Sequence, residues 1–115
     1  MTDITASNVI SADDLRTTTA NAHRLINVNK TVSEMLEFAF TRIEKAAQNR
    51  KSEITFNFKK ALYNKWIEGI KPETLKKVHD RFANYLEEQG YDIEDNIDID
   101  YDSEEVLENT VKVSW

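Results

Sequence analysis

The chain has 115 residues, no cysteine and a formal net charge of −6. This length suits one domain, residues 1–115, that can bury its own apolar core. The lack of cysteine excludes disulfides and a thiol nucleophile. No stretch is long and apolar enough to span a bilayer, and the first residues lack the basic leader and apolar core of a secretory signal. We therefore expect a soluble intracellular protein with no membrane partner.

The negative charge is concentrated at one end. Residues 92–115 hold nine acids and one base, Lys112, whereas residues 1–91 hold 14 bases and 12 acids. An acidic segment of this kind repels phosphates, so the sequence makes direct nucleic-acid binding unfavourable.

A helical pattern begins at Ser11, where a capping hydroxyl precedes Asp13 and Asp14 in the first turn. Apolar residues then recur every three or four positions as far as Ala46. One helix from Ala12 to Asn49 would be about 57 Å long, whereas a compact domain of this size is roughly 35 Å across. Either the helix breaks or the protein is elongated and oligomeric.

The favoured break lies at Asn27–Lys30, a stretch of poor helix formers. Thr31–Glu34 resembles a capping box, which predicts a second helix from Val32 to Asn49. If the helix is instead continuous, Asn29 lies on the apolar seam and could fix the register of a dimer. We list as the candidate self-association stripe Leu15, Ala22, Leu25, Asn29, Val32, Leu36, Ala39 and Ile43.

The second half alternates between strand and helix patterns. Glu53–Phe58 has the period of a half-buried strand. Lys60–Glu68 predicts a short amphipathic helix that ends at Gly69. Pro72 opens a further amphipathic helix, which Gly90 closes.

After Gly90 the period changes to two, which predicts strands over 91–101 and 110–115, joined by residues 103–109. With Glu53–Phe58 they would form a small antiparallel sheet of about three strands packed on helices. The predicted fold class is α+β, with residues 1–50 as a helical arm and 51–115 as a small α+β part.

The acidic run near residue 100 has a metal-binding reading, because Asp98, Asp100 and Asp102 match the opening of a calcium loop. The rest of that motif is missing: Ser103 replaces the required glycine and Asn109 replaces the bidentate glutamate. We therefore expect no metal and no cofactor.

The favoured reading of the run is a strand whose Ile97, Ile99 and Tyr101 point inward while its acids face solvent. A second reading is that the row of carboxylates imitates nucleic-acid phosphates and occupies a basic groove on a partner protein. The candidate acidic interaction face is Asp98, Asp100, Asp102, Glu104 and Glu105.

Residues for catalysis are few. The two histidines, His23 and His79, lie in separate predicted helices without a paired motif, and Lys77–Arg81 reads as a solvated helix face. There is no serine elbow, phosphate-cradling glycine loop or His-x-x-x-His pair. We expect a protein that is not an enzyme.

Two segments carry a resemblance to a known group. The chain contains Gly90-Tyr91 followed by Ile93, and later Val111, Val113 and Ser114-Trp115. These motifs resemble those of small accessory proteins of tailed bacteriophages, a largely uncharacterised group. Residues 60–72 look additional to that pattern. The resemblance implies a phage origin, with host cytoplasm or virion as the location, and assigns no site.

These observations lead to one leading functional hypothesis and two alternatives. The leading hypothesis is a self-associating phage protein that acts through protein–protein contacts as a virion or assembly component. The first alternative is an acidic, DNA-mimicking inhibitor of a host nucleic-acid-binding or defence protein. The second is an oligomeric nucleotide-binding sponge, because subunit interfaces can form pockets without a linear motif.

Overall fold

A computed structural model describes residues 23–115 of the chain. It contains helices and an antiparallel sheet, as the α+β prediction requires. The elements in chain order are α1 Val28–Gln48, β1 Glu53–Asn57, α2 Ala61–Asn64, α3 Pro72–Glu88, β2 Asp92–Asp100 and β3 Glu105–Ser114.

A continuous helix over residues 12–49 is excluded, but the break was predicted too late in the chain, because residues 28–30 already belong to α1. Residues 23–27 are not helical, and Asn27 is the N-cap of α1 because its side-chain oxygen accepts a hydrogen bond from the Lys30 amide. The predicted cap, Thr31, is instead a buried residue within the helix. A single asparagine side chain therefore supplies the start signal that we had assigned to the Thr31–Glu34 box.

Helix α2 is shorter than the predicted helix Lys60–Glu68. Only Ala61–Asn64 is α-helical, and the following residues form turns as far as Gly69. Gly69 has φ +77° and Gly90 has φ +97°, so both adopt the left-handed conformation that glycine accommodates best. Pro72 opens α3 at its first turn, as predicted.

The sheet has the order β1-β3-β2, with both pairs antiparallel. The turn between β2 and β3 is tighter than predicted, because it spans only Tyr101–Glu104. Tyr101 therefore lies exposed in this turn and does not point inward from the strand, whereas Ile97 and Ile99 are half-buried as expected.

One side of the sheet, the inner face, packs against α1 and α3 and forms the core. Phe56 on β1 and Val111 on β3 are directly paired and almost fully buried there. The ring of Phe82 on α3 meets Phe56 and Phe58 edge-on, with centroids 5.9 and 5.3 Å apart. Helix α1 belongs to the same core, since its stripe of apolar residues is buried with these rings.

The opposite side of the sheet is called the outer face here. Because successive strand residues point to opposite sides, it carries the polar half of each strand, and these side chains are exposed or half-buried. Its members are Glu53, Thr55 and Asn57 of β1, Asp92, Glu94, Asn96, Asp98 and Asp100 of β2, and Glu105, Glu108, Thr110, Lys112 and Ser114 of β3.

Candidate functional site

The distal half of the outer face is the part next to the β2–β3 turn, and it brings like charges together. Asp98 lies directly opposite Glu108, and Asp100 lies directly opposite Glu105. Like charges in directly paired positions of antiparallel strands destabilise the pairing. All four residues are exposed, so solvent reduces this cost without removing it. This half of the hairpin therefore carries an unbalanced negative surface.

The proximal half of the same face also carries acids, but a base lies among them. Lys112 lies opposite Glu94, and its ammonium is 3.4 Å from a carboxylate oxygen of Glu53 on the neighbouring strand. Opposite charges at facing positions favour strand pairing. The pairs in which one acid faces another, with no base beside them, thus lie beyond Asn96 along β2.

A register irregularity lies within the distal half, between its two acid pairs. The partner of Asp98 is Glu108, but the partner of Ile99 is Val106, so Leu107 is an extra residue on β3. The backbone oxygen of Leu107 accepts a hydrogen bond from the Lys59 ammonium at 3.0 Å. Because of this extra residue, Asp100 and Glu105 still face each other on the outer face, although Asp100 is two positions from Asp98 and Glu105 is three positions from Glu108.

The tip of the hairpin holds the rest of the predicted acidic face. The Asp100 carboxylate accepts hydrogen bonds from the backbone amides of Asp102 and Ser103, at 3.0 and 3.3 Å. These hydrogen bonds lower the pKa of the Asp100 carboxyl, and the amide of Ser103 contributes more than that of Asp102. Asp102 and Glu104 are turn residues, so the row of alternating carboxylates stops at Asp100.

Glu104 differs from the other acids of the candidate face. It adopts φ +61° in the turn, and its carboxylate lies 2.8 Å from Nε2 of His23. That contact joins the hairpin tip to the segment before α1. The five predicted residues therefore divide into three on the outer face, Asp98, Asp100 and Glu105, and two at the tip.

The candidate self-association stripe is largely buried in its described part. The side chains of Val32, Leu36, Ala39 and Ile43 are buried in the core of their own chain. Leu25 remains 88% exposed, and Asn29 is exposed with its side-chain oxygen accepting from Arg81. Leu15 and Ala22 lie outside the described residues. The buried part of the stripe thus has an intramolecular packing role.

A buried histidine is the main feature that the sequence did not reveal. We assigned His79 to a solvated helix face, but its side chain is 0% exposed. Nδ1 lies 2.6 Å from the side-chain oxygen of Asn109, and Nε2 lies 2.7 Å from a carboxylate oxygen of Asp95. The only available signal was its position next to Val78 in the apolar stripe of α3.

This contact links α3 to both strands of the hairpin. Asp95 pairs with Val111, which places it on the inner face at the edge of the sheet. Asn109 is 1% exposed on the central strand. With both ring nitrogens of His79 in hydrogen bonds, the imidazole has no nitrogen left in this arrangement for a metal or a substrate proton. The cluster fixes the helix against the sheet.

A cavity of about 420 Å³ lies beneath the His23–Glu104 contact. Its floor is apolar and includes Phe58, Ile67 and Ile70, while Lys59 and Glu104 stand at its edge. This volume falls in the range of small-molecule sites. Its charged residues are of both signs, so the lining does not select an anion such as a nucleotide.

Within residues 23–115, no group of three or more acidic or histidine side chains is arranged to hold a metal ion. None of the helices in that part of the chain is both long and apolar enough to cross a membrane.

Comparison of the chain with protein-family models finds no matching family, and searches of curated proteins and of solved structures find no match.

Proposed function

We propose that this chain is a non-enzymatic phage accessory protein that acts by protein–protein contact, and that the outer face binds a basic surface of a partner protein. The carrying observation is the pairing of like charges, Asp98 with Glu108 and Asp100 with Glu105, on an exposed sheet face. The phage assignment rests on the terminal motifs described above.

Charge complementarity is the argument for a basic partner. A cationic surface placed against these carboxylates would relieve the cross-strand repulsion and add attraction in the same step. Alternate residues on a strand are about 6.6–6.8 Å apart, comparable to the phosphates along one DNA strand. A protein groove built for nucleic acid therefore matches the spacing of Asp98 and Asp100 as well as their charge.

Electrostatic attraction of this kind also speeds association. Exposed charges of one sign steer an oppositely charged partner and raise the association rate, and salt suppresses the effect. The hydrogen-bonded turn that holds the Asp100 carboxylate fixes one of the charges in place before binding. The entropy cost of ordering that group is then small at the moment of contact.

The test compares three forms of the chain as bait for host and phage proteins. The first is wild type, the second carries Asp98→Asn, Asp100→Asn and Glu108→Gln, and the third is a matched control. The control neutralises three exposed acids on the helices, Glu34→Gln, Glu37→Gln and Glu73→Gln. Captured proteins are quantified by mass spectrometry, with and without about 1 M salt, where the screening length is only about 3 Å.

We expect basic proteins to bind wild type and the control. Their binding should be lost with the outer-face variant and at high salt. Binding that is unchanged in the outer-face variant would overturn the proposal. Mass spectrometry of purified phage particles then separates the two versions of the function. A virion component is present in the particles, and a host-directed inhibitor is absent from them.

A further inference from the structure

Four aromatic rings form a continuous row on the helical side of the molecule, away from the outer face. The ring centroids are 6.4 Å apart for Tyr85–Phe40, 6.5 Å for Phe40–Tyr91 and 6.4 Å for Tyr91–Trp115. Tyr85 is 42% exposed and Trp115 40%, while the two rings between them are half-buried. Aromatic residues are enriched in the central part of protein interfaces, where a few of them contribute much of the binding energy.

The row borders a groove between α1 and α3. The groove has a volume of about 460 Å³, and Val32, Leu36 and Phe40 line it on the α1 side. Arg81 and Tyr85 line it from α3. The apolar contacts of a docked helix would therefore fall between two helices whose exposed edges are polar.

The charges on the exposed edge of α3 are self-complementary when two copies of the helix lie antiparallel. Arg81, Tyr85 and Glu88 follow helical spacing and lie on one side of the helix. The two opposite charges stand about equally far from Tyr85, one turn before it and one turn after it. When a second α3 is placed antiparallel, with the two-fold axis near Asn84, each Arg81 faces Glu88 of the second copy.

We propose that a second copy of this chain occupies this surface, with the two α3 helices packed antiparallel and the two Tyr85 rings near the two-fold axis. A two-fold interface places the same patch on both copies, so a single arginine–glutamate pattern forms two ion pairs. An arginine can bind a carboxylate through two parallel hydrogen bonds. One N–H of Arg81 already donates to Asn29, which orients the guanidinium while other donors remain.

This dimer differs from self-association through the stripe predicted from sequence. Val32 and Leu36 are buried, so they form only the floor of the groove, whereas the contacts between copies come from Tyr85 and from the Arg81–Glu88 pairs. The dimer also leaves both outer faces uncovered, because the helices separate the interface from the sheet. Two acidic faces on one particle would bind a partner with two basic sites more tightly than either face alone.

The experiment measures solution mass by light scattering coupled to size exclusion, over protein concentrations from micromolar to near-millimolar. Four variants accompany wild type. Tyr85→Asp removes an exposed ring, Arg81→Glu places two acids opposite each other, and the double variant Arg81→Glu, Glu88→Arg exchanges the two charges. Glu87→Lys is the matched control, since Glu87 is exposed on α3 but lies to one side of the Arg81–Glu88 edge.

Wild type and Glu87→Lys are expected at twice 13.4 kDa, and Tyr85→Asp and Arg81→Glu at the monomer mass. The exchanged variant should return to the dimer, which a merely structural role of Arg81 would not produce. Circular dichroism shows whether each variant is folded. Wild type that stays monomeric throughout the range overturns the dimer. A dimer that persists in Tyr85→Asp and Arg81→Glu, or an exchanged variant that stays monomeric, overturns this surface and its register.

Discussion

The two faces of the sheet are made from alternate residues of the same three strands, yet they differ in almost every physical property. The inner face buries Phe56, Val111 and Val113 against the helices. The outer face exposes acids, and in its distal half these acids face one another, as with Asp98 and Glu108. The apolar core and the exposed acids thus lie on opposite sides of one thin layer. A substitution on the inner face should therefore change the free energy of unfolding far more than one on the outer face.

The largest expected effect comes from the inner face. Phe56→Ala should lower the free energy of unfolding by about 3–5 kcal/mol, because it removes a fully buried ring and leaves a cavity among three other aromatic rings. Urea unfolding followed by circular dichroism measures it. The control is the neighbouring outer-face change Thr55→Ala, expected within about 0.5 kcal/mol of wild type. Equal losses for the two variants would contradict the division of the sheet into two faces.

The buried histidine gives the next effect. His79→Leu should cost about 1–3 kcal/mol, because it leaves the buried Asn109 side chain without its hydrogen-bond partner. Adding Asn109→Leu to that variant should cost less than the same change in wild type, since the two side chains are coupled. The double-mutant cycle is measured by urea unfolding. Additive losses would show that the contact contributes nothing of its own.

Neutralising the distal outer face should have the opposite sign. Asp98→Asn is expected to raise the free energy of unfolding by about 0.2–1 kcal/mol, because it removes repulsion from Glu108. The gain should shrink at high salt. The matched control is Glu94→Gln, which removes an acid of the same strand that faces Lys112, and it should give no gain. A gain of equal size in both variants would mean that the net charge, and not the facing pair, sets the effect.

The smallest effect is a pH dependence at the hairpin tip. The folded-state pKa of Asp100 is lowered by the backbone amides of Ser103 and Asp102. Its contribution to stability is therefore present above the unfolded-state pKa, near 3.9, and is lost as the pH falls through the folded-state pKa. The difference in urea midpoint between wild type and Asp100→Asn should move against wild type on acidification from about pH 5. A difference that stays constant would contradict this assignment.

Several parts of the fold could be predicted because they depend on local rules. The period of two after Gly90 predicted the β2–β3 strands, and the two glycines marked positions of positive φ. The acidic run was correctly predicted as a strand with a solvated face, but the row was expected to continue through Asp102. A single side-chain oxygen, that of Asp100, binds the turn amides and ends the strand there.

The sequence by itself determined which residues of each strand and helix could share a face, because backbone geometry fixes the periods of 2 and 3.6. Only the tertiary structure decided what those faces meet. His79 finds Asn109 and Asp95, which lie 30 and 16 positions away along the chain, and Asp98 finds Glu108 across the hairpin. Such contacts depend on strand register and on how a helix is seated. The local sequence pattern determines neither the register nor the position of the helix, because both follow from the packing of distant segments into one core.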